Sequence, residues 1–471
     1  MKKSVFLLVL FLSLTGFSQT VNDAVKLAIP GNGFGARALG MGNSYISLSD
    51  DAAGMFYNPA GIGFIRQFEF SGGLTYYNLS NSSQFFGNNT NLSNSSIRPD
   101  NMSLIFPFPT LRGSLVFGFS YHSSKDFNYT YNFDGYNPGS NSFIQDLNID
   151  TDIPYDLYLT DTNYNTAING RLQQSGKVLQ TGSINNWAFS GAIEAGRNFF
   201  VGATLSVVSG SFSGSRDYYE DDVRGIYTGT FLSPGDAFTN GFKTFYYNSV
   251  LDWDIEGFDM KLGMLYQAGN FARLGFTVEL PKSYRIKEKF FFGGRSDWND
   301  GTTVTLERTE ISPVEYDISI PFKFGMGFAV NYVDIIFTAE ASLIDYSQVK
   351  FENANGLSSA YVAGLNKIIQ EDLGAVLDYN FGAEYTIPGV ELKVRAGYFQ
   401  RSSPYAADNS DFHKKYITAG LGYLFDNFVS VDVAYVHGFY KDFSDNYSSG
   451  VSRVLHDIKT DRLIFNVSYR F

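Results

Sequence analysis

Cysteine is absent from the 471 residues, which excludes a disulfide framework and any thiolate metal site. Histidine is nearly as scarce. His122, His413, His437 and His456 are the whole supply, and none stands at the spacing of a metal-binding pair. There is no Gly-x-Ser-x-Gly elbow, and Gly-Ala-Arg-Ala-Leu-Gly lacks the Lys-Ser/Thr of a phosphate loop. No cofactor, metal or enzymatic activity is expected. Charged residues make up only 17%, against about a quarter in an ordinary soluble domain. The net charge of −12 argues against a nucleic-acid partner, since phosphate binding needs a concentrated basic surface. No segment supplies the ~20 consecutive apolar residues that a helical membrane span needs.

What the chain has instead is aromatic residues at 17%, with 45 Phe and 32 Tyr, and 47 glycines. It opens on Lys2 and Lys3, an apolar run from Val5 to Leu14 and then Gly16-Phe17-Ser18, the layout of a secretory signal peptide over residues 1–18 with cleavage after Ser18. An exported chain rich in aromatics and glycine, with no helical span and a mean hydropathy of −0.12, has the composition of a transmembrane β-barrel, in which only alternate residues face lipid.

Period-two alternation supports that fold class: all-β, an antiparallel barrel of about fourteen strands over residues 67–471. Phe68, Phe70, Leu74 and Tyr76 share one face, as do Leu115, Phe117, Phe119 and Tyr121, and at the end Leu463, Phe465, Val467, Tyr469 and Phe471. Short turns at Thr110, Arg197-Asn198, Gly269-Asn270, Asn331, Pro388-Gly389 and Asp426-Asn427 alternate with long connections, as periplasmic turns alternate with extracellular loops. The opposite parity puts Glu194, Lys261, Arg273, Glu279, Lys323, Glu340, Asp378, Glu384, Lys393, Arg395 and Arg470 in the lumen. Both signs are present, which suits internal ion pairing around a plug. Residues 78–94, rich in Asn and Ser, read as a flexible outer loop. The longest outer loops are expected at about 125–185 and 213–255, and they are unusually aromatic. Tyr155, Leu157, Tyr158, Phe242, Phe245 and Tyr246 stand in those clusters as candidates for an apolar ligand groove, which is the usual character of a small-molecule pocket. Phe231 and Phe238 belong to the second cluster.

Residues 19–66 do not read as strand. Gly31, Gly33, Gly35, Gly40 and Gly42 precede Asp50-Asp51 and the turn Asn58-Pro59-Ala60-Gly61, a composition that packs as an irregular body. The run ARALGMGNSYISLSDDAAGMFYNPAG resembles the N-terminal hatch of the FadL family of outer-membrane transporters for long-chain fatty acids and other hydrophobic compounds, and the stretch from Val394 to Tyr440 carries a second resemblance. The resemblance implies a luminal plug with Arg37, Gly40, Gly42, Asp50, Asp51, Asn58, Pro59 and Ala60 as its motif. It also implies capture of a hydrophobic small molecule at the outer loops, an internal pocket, hatch movement and lateral release at a kinked wall strand, for which Gly113 and Gly118 are candidates. A bacterial outer-membrane location follows, with membrane lipid and lipopolysaccharide around a monomeric barrel. The terminal aromatic strand resembles the signal read by the barrel-assembly machinery. The alternative is a protein-interaction barrel, similar to FadL relatives that act in a secretion system.

Overall fold

The computed structural model describes residues 19–228, 241–426, 428–448 and 450–471. The expected signal peptide, the loop residues Phe231 and Phe238 and the turn residue Asn427 lie outside these.

Eighteen strand segments join in a single antiparallel sheet, and because four wall strands are each broken in two, they build fourteen wall strands. In chain order these are β1 (Glu69–Phe85), β2 (Asn88–Phe108), β3 (Leu115–Asp126, continued by Tyr129–Tyr136), β4 (Gln173–Gly196) and β5 (Phe199–Asp221). Then come β6 (Phe242–Ala268), β7 (Ala272–Glu279, continued by Lys282–Trp298), β8 (Thr303–Ile320, continued by Lys323–Tyr332) and β9 (Ile335–Asp345, continued by Lys350–Asn355). The last are β10 (Ala375–Ile387), β11 (Leu392–Arg401), β12 (Lys414–Phe425), β13 (Val429–Asp445) and β14 (Arg453–Arg470). β1 pairs with β14 from Glu69↔Arg470 to Gln84↔Leu455, which closes the barrel.

The alternation decides which way each side chain points. Phe70, Leu74, Phe106, Phe189, Leu205, Met264, Phe328, Phe381, Leu421 and Phe465 are all exposed on the outside. A continuous apolar belt of this kind has no place in water; on a closed barrel it is the lipid-facing surface. No described helix is long and apolar enough to cross a membrane.

Above the belt the strands continue, and here the sequence-based expectation is corrected. The two ends of 125–185 and of 213–255 are paired strand, as is 78–94, where β1 and β2 meet in a tight turn at Phe86 and Gly87, both with positive φ. The pattern inverts at this height: Ser209, Ser211 and Ser213 of β5 face out, while Val208, Phe212, Tyr218 and Glu220 are buried inside. Aromatic-in, polar-out alternation reads as aromatic loop when only apolar-out strands are sought. True loops remain at 137–172, which carries α4 (Phe143–Asp150) and α5 (Ile153–Asp156), and at 356–374, which carries α6 (Ser359–Asp372).

Glu220 ties the first of these loops to the wall. It lies beyond the lipid belt, and its carboxylate accepts hydrogen bonds from the Phe143 and Ile144 amides at the start of α4 (2.7 and 3.3 Å), from Gln174 Nε2 (2.8 Å) and from Tyr218 Oη (3.1 Å). Burial raises its pKa to about 7, outweighing the hydrogen bonds that favour the anion. A raised carboxyl makes docking firmest when protonated: the gain is complete below the ordinary value of about 4.3 and lost as pH rises through about 7. Amide exchange in α4, corrected for intrinsic rates, is therefore expected to slow between pH 8 and pH 5. Glu220→Gln should abolish the dependence, and equal protection at both pH values would contradict this.

Candidate functional site

The lumen is filled from the N-terminus. α1 (Val21–Ala28) opens on a capping box between Thr20 and Asp23 and packs Ala24, Val25, Leu27 and Ala28 against Trp253, Tyr284, Tyr316 and Leu365. α2 (Ala36–Gly40), α3 (Gly54–Tyr57) and a 3₁₀ turn (Pro59–Phe64) follow, almost wholly buried.

The wall is cut to receive them. A Cβ on Gly397 would lie 2.2 Å from the Gly42 amide nitrogen, and one on Gly263 would lie 2.0 Å from Asn58 Oδ1. Gly42 itself has φ +62°, and a Cβ there would lie 2.1 Å from the Phe381 carbonyl. Plug and wall thus meet with no room for a side chain at these positions, which only glycine allows.

Charges complete the fit. Arg37 donates to Asp50 (2.6 Å) and, through Nε and Nη2, to both oxygens of Glu384 (3.1 and 3.3 Å). Arg273 reaches the other Asp50 oxygen at 2.8 Å, while Arg395 bridges Glu384 and Asp432 at 2.6 Å each. Burial alone would raise the Asp50 carboxyl, but the two guanidinium groups hold it well below the ordinary range. Burial does raise its neighbour Asp51, although Arg37 and the Tyr45 hydroxyl, 2.6 Å away, pull the other way. Glu340 accepts the amides of Tyr45 and Ile46 at 2.9 and 3.0 Å. Asn58 caps the 3₁₀ turn through the Ala60 amide (3.1 Å) and donates to the carbonyls of Ile46 (2.8 Å) and Met264 (3.0 Å). Pro59 and Ala60 are buried against the wall at Gly202, and Gly40 lies against Gly420.

Two β-bulges bring in groups that strict alternation hides. The β1–β2 register shifts between Gly73 and Leu74, which leaves Asp100 as an extra, fully buried residue. Asp100 accepts the Gly35 amide at 2.9 Å and Arg462 at 2.6 Å. The β3–β4 register shifts between Ser123 and Lys125, and Lys125 Nζ donates to the carbonyls of Lys26 and Ile29 at the end of α1.

The same bulge marks an incomplete wall. β2 and β3 pair only from Phe108↔Leu115 to Asn101↔His122; beyond that, β2 pairs only with β1, and Tyr129–Tyr136 only with β4. Side chains replace the ladder: Thr90 Oγ1 donates to the Asn132 carbonyl (2.6 Å), Asn88 to that of Asp134 (3.1 Å), and Arg98 pairs with Asp126. Gly113 sits in a turn with φ +72°, and Gly118 lies against Met55 of the plug, so the break in β3 is at Phe127 and Asn128 instead.

Against this break lies a cavity of about 460 Å³, roofed by Pro30 to Gly33 of the plug. Its walls mix aromatic rings, Tyr77, Tyr129, Tyr416 and Tyr440 among them, with cations and with the carboxylates Asp126, Asp408 and Asp442. Arg98, Arg462 and Lys441 are paired with Asp126, Asp100 and Asp411. Among the described residues, Lys125 and Lys414 have no carboxylate at ion-pair distance; Lys414 lies 4.8 Å from the centre of the Tyr440 ring.

The loop candidates fall elsewhere. Leu157, Phe242 and Phe245 are fully buried in the core beneath the outer loops, Tyr246 bonds Asp217 at 2.7 Å, and Tyr155 and Tyr158 are exposed. None of the six lines the large cavity.

The molecule is thus a plugged transmembrane β-barrel. No protein-family model and no curated protein matches the sequence. Solved structures do match the fold. The Pseudomonas putida toluene transporter TodX aligns at a TM-score of 0.56 and 15% identity, covering 94% of this chain and 100% of its own. A Pseudomonas aeruginosa FadL homologue aligns at 0.57 and 14%, covering 94% and 98%. The Ralstonia pickettii toluene transporter TbuX aligns at 0.51 and 15%, covering 93% and 99%. At such identities the likeness is one of fold.

Proposed function

We propose that this barrel takes up hydrophobic small molecules across the bacterial outer membrane by passive passage through its lumen, and that its ligand is an amphipathic carboxylate such as a long-chain fatty acid. The cavity beside the break in β3 carries the reading. Its volume is within the usual range for small-molecule sites, of about 300–1,000 Å³, and it combines a ring-lined body with Lys414, which among the described residues has no carboxylate at ion-pair distance. The tail would lie among Tyr77, Tyr129, Tyr416 and Tyr440, and the head group would meet Lys414. The neighbours whose titles name toluene share the fold; a neutral hydrocarbon would make no use of the Lys414 charge.

Passage needs an entrance and an exit. The break between β2 and β3 offers an opening toward lipid, and the plug closes the direct path to the periplasm, with Arg37, Asp50 and Asp51 as its latch. On this reading the signal peptide is cut after Ser18, the plug spans residues 19–66 and the barrel is a monomer.

Titration with a fluorescent fatty acid in mild detergent tests the ligand class. Lys414→Ala is expected to weaken binding about tenfold, the factor given by about 1.4 kcal/mol, while leaving a neutral analogue of equal length unaffected. Equal loss of both ligands would contradict a charge contact at Lys414. An empty barrel that retains a secreted protein would move the function to protein interaction.

A further inference from the structure

The inner end of the plug holds a constellation that the uptake reading does not use. Gln19, the first described residue, is 2% exposed, and so is Glu288 on β7. The Glu288 carboxylate accepts hydrogen bonds from Trp253 Nε1 (2.9 Å) and Tyr316 Oη (2.8 Å) through one oxygen and from Gln19 Nε2 through the other. Tyr361 of α6 donates its hydroxyl to the Gln19 carbonyl at 2.6 Å. A second buried carboxylate, Asp23, accepts the Thr20 amide (2.9 Å) and hydroxyl (2.7 Å) one residue further on. Glu288 and Tyr361 therefore hold the residue at which the processed chain is expected to begin, and Trp253 and Tyr316 back the Glu288 carboxylate. Carboxylate plus aromatic ring is the chemistry that recognises an ammonium group.

We infer that Glu288, with Trp253, Tyr316 and Tyr361 around it, is the receptor for the α-ammonium group that leader removal creates at Gln19. This rests on the reading that cleavage follows Ser18. Processing turns a neutral peptide nitrogen into a cation. A cation beside Glu288 gains an attraction that the uncut chain lacks, and it offsets the positive end of α1, which alone would repel it. Removal of the leader thereby seats α1, and with it the roof of the large cavity at Pro30 to Gly33. The site also has a chemical consequence. An N-terminal glutamine cyclises when its neutral α-amine attacks the side-chain carboxamide carbon; the N–Cδ bond forms, the Cδ–Nε2 bond breaks, and Nε2 leaves as ammonia with the proton of the amine. An α-ammonium group held by Glu288, with Nε2 held by the same carboxylate, cannot make that attack.

The test is made on the full barrel purified from outer membranes. Intact-mass and peptide mass spectrometry locate the first residue and show whether it is glutamine or the lactam, and a small water-soluble amine-acylating reagent is applied to folded and to denatured protein. The expected result is a chain beginning at uncyclised Gln19 whose α-amine reacts at least about tenfold more slowly in the folded barrel, the factor for about 1.4 kcal/mol of protection. In folded Glu288→Gln that protection should fall, the lactam should accumulate, and amide exchange of Val21–Ala28 should quicken. A different first residue would overturn the cleavage reading and the receptor with it. A chain that starts at Gln19 but is fully cyclised, or freely acylated when folded, would overturn the receptor alone, and this arm needs no variant.

Discussion

Glu384→Ala is expected to unseat the plug while leaving the barrel wall closed. Glu384 is 2% exposed and lies between Arg37 of the plug and Arg395 of the wall, with Asp50 and Asp432 as the outer members of the chain of charges. Truncating it leaves two guanidinium groups facing each other in the lumen with half their partners. Breaking a buried pair in this way costs about 3–5 kcal/mol, since the surviving charge keeps its desolvation penalty and loses its compensation. Amide exchange over residues 36–57 should accelerate about a hundredfold or more, each 1.4 kcal/mol being a factor of ten. Conductance in planar bilayers should rise as the lumen opens. Glu384→Gln keeps the shape and should fall between the two. Glu352→Gln, an exposed position on the outer wall, should stay within about 0.5 kcal/mol of wild type. Unchanged exchange in Glu384→Ala would mean that the ionic network is not what seats the plug.

Gly397→Val should have the second large effect. The new Cβ would fall 2.2 Å from the Gly42 nitrogen and 2.4 Å from its Cα, and both are backbone atoms that cannot rotate aside. Gly42 can make room only by leaving the wall, which gives up its left-handed fit and its amide hydrogen bond to Thr418 Oγ1 at 3.1 Å. The wall itself can accept valine, a good strand former, through unchanged pairing with β10 and β12. The outcome should be a folded, heat-modifiable barrel that has become permeable to hydrophilic solutes, read as entry of a chromogenic substrate into whole cells. Gly364→Ala, in α6 with nothing within 4 Å, is the matched control and should if anything stabilise. A Gly397→Val barrel as tight as wild type would show that the plug moves freely at this contact.

The lipid-facing half of the barrel was readable because lipid imposes one rule on every second residue: Phe70, Phe189, Met264 and Leu421 obey it. The even strand count and the short turns followed from the same rule. Above the belt water replaces lipid, the rule inverts, and Phe242 and Phe245 looked like loop aromatics although they are the inner face of a continuing strand. The charged lumen was legible from parity, and Arg273, Glu340, Glu384 and Arg395 do meet the plug. Asp100 and Lys125 were not, because a bulge shifts parity by one and leaves no local mark in the sequence. The signal that could have located the plug's footprint was the series of inward glycines, Gly263, Gly382, Gly397 and Gly420, each on a different strand.

The most direct test of the central claim is mass spectrometry of what the barrel carries when purified in mild detergent, compared between wild type and Thr460→Trp, which places an indole in the 460 Å³ cavity. A fatty acid or another apolar carboxylate is expected at near-stoichiometric amount in wild type and should be lost from the filled variant. The same ligand at the same amount in both would place binding outside the cavity and contradict the route proposed here.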